Sequence, residues 1–217
     1  MKDSTSREKI LKKVRNALIH KSAKLDAENI DFDSPIYSKI EESPEIVFAQ
    51  KFTALNGKFA FCENTNEFQL IFKEFVQESA LGVIFCGQDS IKELFNNAGI
   101  KFDDNLTSMT NCKVTVTTCE YLVARTGSIM VSSRQSSGRK LPIFPDTHIV
   151  IAYTSQLVDD IKDALKAIKI KYAESTPSLI SLISGPSRTA DIEKTLILGA
   201  HGPKEIYLFL IDDIAAS

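Results

Sequence analysis

Residues 185–193, Gly-Pro-Ser-Arg-Thr-Ala-Asp-Ile-Glu, and residues 199–203, Gly-Ala-His-Gly-Pro, bring hydroxyls, a guanidinium, carboxylates and an imidazole into one glycine-punctuated stretch. A Gly-Pro pair turns the chain, and the hydroxyls just beyond it can bind an anion or bond to their own backbone. Arg188 adds a planar, permanently charged fork suited to a carboxylate or a phosphate, and Ser187 and Thr189 flank it. Asp191 can orient that fork, and His201 can exchange a proton near neutral pH. The chemistry these types point to is the holding of a small anion with proton transfer beside it. Local physics leaves a second reading open, an ordinary turn in which Ser187 and Thr189 bond to their own backbone and Arg188 pairs with Asp191.

Two other segments carry suitable residue types. Thr126-Gly127-Ser128 sets a backbone-permissive glycine between two hydroxyls, which fits either close approach of an anion or a tight turn at a strand. Residues 132–140 mix Arg134, Arg139 and Lys140 with serines, the composition of an anion-binding flap and equally of a solvated hairpin tip. His148 lies among Ile149, Val150 and Ile151 and reads as a core or edge histidine, whereas His20 beside Lys21 reads as surface. There is no H-E-x-x-H, G-x-S-x-G, P-loop or G-x-G-x-x-G pattern, so hydrolase, NTPase and simple dinucleotide-binding readings lack their usual marks. Cys62, Cys86, Cys112 and Cys119 form no C-x-x-C pair and therefore no zinc or iron-sulfur signature. Cys62 and Cys86 each close a short apolar run and are expected to be buried thiols on strands. In loops at the carboxyl ends of parallel strands, where α/β sheets form their ligand crevices, these segments are able to converge.

The elements that must position them can be read in order. Thr5 and Glu8 form a capping-box pattern, and Ile10, Leu11, Val14 and Leu18 fall at helical spacing, which predicts an amphipathic helix over 5–20. Basic residues dominate 2–24 and acidic ones 26–45; Pro35 and Pro44 mark an irregular connector, so the boundary is expected between 1–43 and 44–217. Beyond it a helix to Leu55, a strand at 59–62, a helix at 66–78, a strand at 82–86 and a helix at 89–98 stopped by Gly99 alternate, which predicts a parallel sheet with crossover helices. Strands follow at 114–117 and 128–132, with a single helical turn expected between them at 119–124. A strand at 148–153, a helix from Thr154 or Ser155 to about Ile168, a helix from Pro177 to Gly185 and an apolar mid-sheet strand at 206–211 complete the reading.

With 217 residues, 43% hydrophobic and 25% charged content and a net charge of −2, the chain has room for one sizeable core and no field that would draw nucleic acid. No apolar run reaches the roughly 18 residues of a membrane span, and the N-terminus lacks the apolar core of a signal peptide. With free thiols, this predicts a cytoplasmic protein.

Residues 183–193, then 199–203 and the apolar strand after them, resemble the end of the lactate-utilisation protein C family, also called the LUD domain. Thr126-Gly127-Ser128 and residues 142–151, a strand led in by prolines, resemble its middle motifs, and the N-terminal helix with its acidic connector fits as well. The resemblance covers essentially the whole chain. Arg125 departs from it, standing where the family usually has an acidic residue. The resemblance implies a three-layer α/β/α sandwich similar to the ribose-phosphate isomerase, glucosamine-phosphate deaminase and coenzyme A transferase group, with an N-terminal helical extension. It also implies a part in bacterial oxidation of L-lactate to pyruvate, with iron-sulfur clusters in partner proteins and no metal or other cofactor in this chain. On that reading Arg188 holds a carboxylate, Ser187, Thr189, Thr126, Gly127 and Ser128 complete the cradle, Asp191 orients Arg188, and His201 relays a proton. Two other classes stay open: a stand-alone enzyme on a sugar phosphate or acyl-coenzyme A, and a non-catalytic assembly or regulatory module docking through the 5–20 helix.

Overall fold

The computed structural model describes residues 5–19, 37–79, 81–105, 107–108, 112–190, 196–198 and 202–214. Two compact units divide the chain, Met1–Lys39 and Ile40–Ser217. The first contains α1 (Ser6–Ile19), opened by the expected reciprocal cap. The Glu8 amide donates to Thr5 Oγ1 and the Thr5 amide donates to Glu8 Oε2. Ile10, Leu11 and Val14 on this helix are exposed.

The second unit begins with α2 (Pro44–Ala54), β1 (Lys58–Cys62), α3 (Thr65–Glu78), β2 (Ile84–Cys86), α4 (Asp89–Ala98) and β3 (Val114–Thr118). Asn64 caps α3 by accepting from the Glu67 amide, and Gly99 ends α4 in the left-handed region. Next come β4 (Tyr121–Val123), β5 (Ser128–Ser132), β6 (Thr147–Tyr153), β7 (Leu157–Val158), α5 (Ile161–Lys171) and β8 (Ile180–Ile183). The chain closes with β9 (Arg188–Ala190), β10 (Leu196–Leu198) and β11 (Glu205–Ile211).

The core is a five-stranded sheet in the order β1-β11-β6-β3-β2, parallel throughout. β6 and β11 are covered on both faces, which is why residues 149–152 and 206–211 within them read as apolar runs. On one face α3 and α4 set Phe68, Phe72 and Phe95 against Val116, Ile149, Ile151 and Phe209. On the other, Phe48 and Phe52 of α2 join Leu122 and Ile129 over Val150, Leu208 and Leu210. Leu122 and Ile129 belong to a second sheet, β7-β4-β5-β8, whose outer side is covered by Ala164 and Ile168 of α5. β9 and β10 pair as a separate antiparallel ribbon. The mixed α/β architecture with a parallel sheet flanked by helices is the one expected, and β11 lies inside the sheet between β1 and β6.

Three local expectations are corrected. Residues 119–124 hold the strand β4, and the single turn of 3-10 helix follows it at Ala124–Thr126. The helix expected from Thr154 starts at Ile161, because Leu157 and Val158 pair beside β4. The Gln156 side chain secures that detour by accepting from the Tyr153 amide and donating to the Cys119 carbonyl. The helix expected from Pro177 is the strand β8, an antiparallel partner for β5 in register Ile129 with Ile183 through Ser132 with Ile180.

Candidate functional site

The C-terminal turn of α2 is the meeting point of the two motifs. Gly127 ends the 3-10 turn with φ +59° and reverses the chain into β5. A Cβ there would lie 2.5 Å from the Phe52 amide nitrogen and 2.6 Å from the Lys51 carbonyl carbon, so the glycine lets this turn sit bare against the helix backbone. Gly185, at φ +83°, approaches the same helix end, where a Cβ would fall 2.4 Å from the Leu55 carbonyl oxygen. Between the two glycines, Ser128 Oγ and Ser184 Oγ share a hydrogen bond of 2.7 Å. Pairing of β5 with β8 fixes this meeting, because Ser184 follows the last residue of β8 just as Ser128 opens β5.

Arg188 is exposed, and its Nη2 donates to the Leu55 carbonyl at 3.2 Å. A cation at a helix C-terminus suits both the unpaired carbonyls and the dipole. The carbonyl fixes the guanidinium in place without cancelling its charge. The Ser187 amide donates to the Pro203 carbonyl at 2.8 Å, which ties this turn to the lead-in of β11. Beside it a cavity of about 220 Å³ is lined by Ser184, Ser187, Pro142, Ile143, Ile183 and Ile206. Thr126 Oγ1 is buried without a hydrogen-bond partner among the described residues. Thr189 contributes backbone to β9; Asp191 and His201 lie outside the described residues, as does His20.

The gathering takes place at the amino ends of the parallel strands, not at their carboxyl ends as expected. The end of α2 leads by a tight turn into the start of β1, and Pro203 leads into the start of β11. Whatever rests on the end of α2 is therefore carried to the amino edge.

Residues 133–146 form a chain of turns rather than a free hairpin tip. Arg139 Nη2 donates to Ser178 Oγ at 2.5 Å, and the Leu141 carbonyl accepts from Thr115 Oγ1 at 2.9 Å. His148 is a core histidine, with Nε2 at 2.8 Å from Thr117 Oγ1 and Nδ1 without a partner among the described residues. Burial pulls its pKa down to about 3, so the ring is neutral. Arg125 Nε pairs with Asp160 Oδ2 at 3.0 Å, joining the Thr-Gly turn to the start of α5.

Two polar groups were not picked out from the residue pattern. Glu120 has a fully buried side chain. Its carboxylate accepts from Ser132 Oγ at 2.5 Å and Tyr172 OH at 2.9 Å, and pairs with Lys171 Nζ at 2.8 Å. The available signal was a lone carboxylate between two strand-like runs. At the carboxyl edge, Thr154 and Ser155 after β6 meet Asp212 and Asp213 after β11. Among the described residues no group of His, Cys, Asp and Glu is arranged to hold a metal ion, and no helix is long and apolar enough to cross a membrane.

The LUD domain family model matches residues 47–211, a span that takes in the α2 junction and both sheets. The chain belongs to the LUD domain family. Lactate utilization protein C of Bacillus licheniformis is 33% identical to it over 113 residues, 51% of this chain and 47% of that protein. Lactate utilization protein C of Bacillus pumilus is 34% identical over 119 residues, 54% of this chain and 50% of that protein. This LUD domain chain thus spans about half the length of the curated relatives it matches. A crystal structure of a DUF162 family protein from Deinococcus radiodurans superposes with a TM-score of 0.58 at 17% identity, covering 78% of this chain and 99% of that one, which shows a shared fold.

Proposed function

We propose that this LUD domain protein is a cytoplasmic component of a lactate-utilisation system and holds a small carboxylate, L-lactate, at the end of α2. The names of its relatives support the pathway. The observation that carries the site is the Ser128–Ser184 hydrogen bond, which joins two motifs 56 residues apart beside an exposed, positionally fixed Arg188. In this reading the Arg188 fork takes the carboxylate, and Ser187, Thr189 and the turn of Thr126, Gly127 and Ser128 supply donors around it. Asp191 orients Arg188, and His201 accepts the proton of the substrate hydroxyl. Oxidation of lactate to pyruvate releases two electrons and two protons; the electrons leave to iron-sulfur partner chains, since this chain has no cysteine cluster to receive them.

Deleting the gene in its host and supplying it back tests this reading. The deletion strain is expected to lose growth on L-lactate as sole carbon source, the wild-type chain to restore it, and Arg188→Ala to fail while remaining soluble and folded. Normal growth of the deletion strain, or full restoration by Arg188→Ala, overturns the assignment.

A further inference from the structure

The sheet β7-β4-β5-β8 ends on an open strand. Pairing with β5 uses alternate residues of that strand. The Ser133 amide donates to the Leu179 carbonyl at 2.9 Å, so Leu179, Ser181 and Ile183 turn their backbone groups toward β5. Ile180 and Leu182 turn theirs away, and among the described residues none donates to or accepts from those amides and carbonyls. An open strand edge is a template for another strand, and folded proteins guard it with a charge, a proline, brevity or a cover. The other edges are guarded in these ways. Asp103 covers β2: its amide donates to the Ile84 carbonyl at 2.8 Å, and its carbonyl accepts from the Cys86 amide at 2.9 Å. β7 has two residues, and β1 starts at Lys58 with Glu63 just beyond it. β8 has none of these protections. No charged residue lies between Glu174 and Arg188, and Pro177 and Pro186 fall outside the strand.

The surface beside this edge is apolar as well. Leu182 is 40% exposed and Ile143 is 50% exposed, and both line the recess that holds Ser184 and Ser187. The pattern of the strand fits its own copy. When two β8 strands run antiparallel with Ser181 opposite the partner's Ser181, every outward amide meets a carbonyl. Ile180 exchanges both backbone bonds with the partner's Leu182, and Leu182 does the same with the partner's Ile180. Ile180 and Leu182 lie on one face of the strand, so each of these pairs also sets one apolar side chain against another. A neutral run meets a neutral run, and no charge has to be stripped of water. The added strand also continues the antiparallel order that β5 and β8 already have.

We infer that β8 pairs antiparallel with β8 of a second copy of this chain about a two-fold axis beside Ser181, so that the two sheets run on as one. The inference does not rest on the lactate reading, since it uses the outer backbone of β8 and not Arg188.

The test is sedimentation velocity of the full chain over about 5 to 300 μM, joined to amide hydrogen exchange read residue by residue by NMR. The wild-type chain is expected to reach twice its 24.1 kDa as concentration rises. Leu182→Lys puts a charge on the open edge without touching a bond to β5, and it is expected to stay at the single-chain mass throughout. Leu70→Lys, at a 71% exposed position on α3, is expected to dimerise like the wild type. In concentrated wild-type samples the Ile180 amide should exchange at least about tenfold more slowly than in Leu182→Lys, while the Ser181 amide, bonded to β5 in either case, should not change. Should Leu182→Lys fail to fold, the wild-type amides decide, with Ile180 and Ser181 both protected in the dimer. A single-chain mass across the range, a dimer that survives Leu182→Lys, or an Ile180 amide that exchanges freely in the dimer overturns the inference. None of these outcomes touches the growth test of Arg188→Ala.

Discussion

Replacing Gly127 by alanine separates the effect of backbone conformation from that of close packing at the α2 junction. Gly127 and Gly99 have similar left-handed backbones, φ +59° and +66°, but different surroundings. A Cβ on Gly99 meets nothing within 4 Å, whereas on Gly127 it lies 2.5–2.7 Å from the Phe52 amide and from Lys51 backbone and Cβ atoms. Those are main-chain neighbours inside a helix and cannot swing aside. Gly99→Ala should therefore cost only the left-handed penalty, roughly 1–2 kcal/mol. Gly127→Ala should cost that plus about 1–3 kcal/mol for forcing α2 away from the turn, about 2–5 kcal/mol in all. For a chain of this length each kcal/mol moves the melting temperature by about 2–4 °C, so Gly127→Ala should melt roughly 4–20 °C lower and Gly99→Ala about 2–8 °C lower. Urea denaturation at constant pH, with a thermal melt as a second probe, measures both. If the two variants lose the same stability within about 0.5 kcal/mol, which is the scatter of independent sites, the turn does not press on the helix as described. The link between the Thr-Gly motif and the end of α2 would then fall with it.

Two further outcomes follow from buried polar groups. His148 is neutral in the folded state with a pKa of about 3 against about 6.5 unfolded, so the unfolded chain takes up the proton first and stability falls as pH drops below 6.5. The loss reaches about 2 kcal/mol by pH 5. His148→Gln, which still reaches Thr117 but does not titrate, should flatten the urea midpoint over that range; an unchanged slope would assign the pH dependence to other groups. Glu120→Ala should destabilise by about 3 kcal/mol, since it strands the Ser132 and Tyr172 hydroxyls and the Lys171 ammonium, while Glu120→Gln should cost less than half of that. Equal losses for the two variants would show that an uncharged acceptor of the same shape cannot replace the carboxylate and would refute this expectation.

Much of the fold was legible because it rests on short-range rules. The helix at 66–78, the stop at Gly99 and the apolar run at 206–211 each follow from spacing within one segment, and each has its element there in the structure. The Thr126–Ser128 and 183–188 motifs were likewise identifiable by residue type alone. Their meeting was decided by pairing between distant segments. Residues 177–183 satisfy both a helical and a strand pattern, and only the free edge of β5 makes them β8. That same antiparallel register puts Ser184 beside Ser128, and the short turn from α2 to β1 then carries the junction to the amino edge of the sheet. Glu120 escaped notice for the same reason, because its donors come from 12, 51 and 52 residues away, and burial of a carboxylate is tolerable only once all three have arrived. Chemistry-bearing types and local elements are properties of neighbours along the chain. Which of them share a site is set by strand order and register, and these depend on long-range contacts that no window of sequence contains.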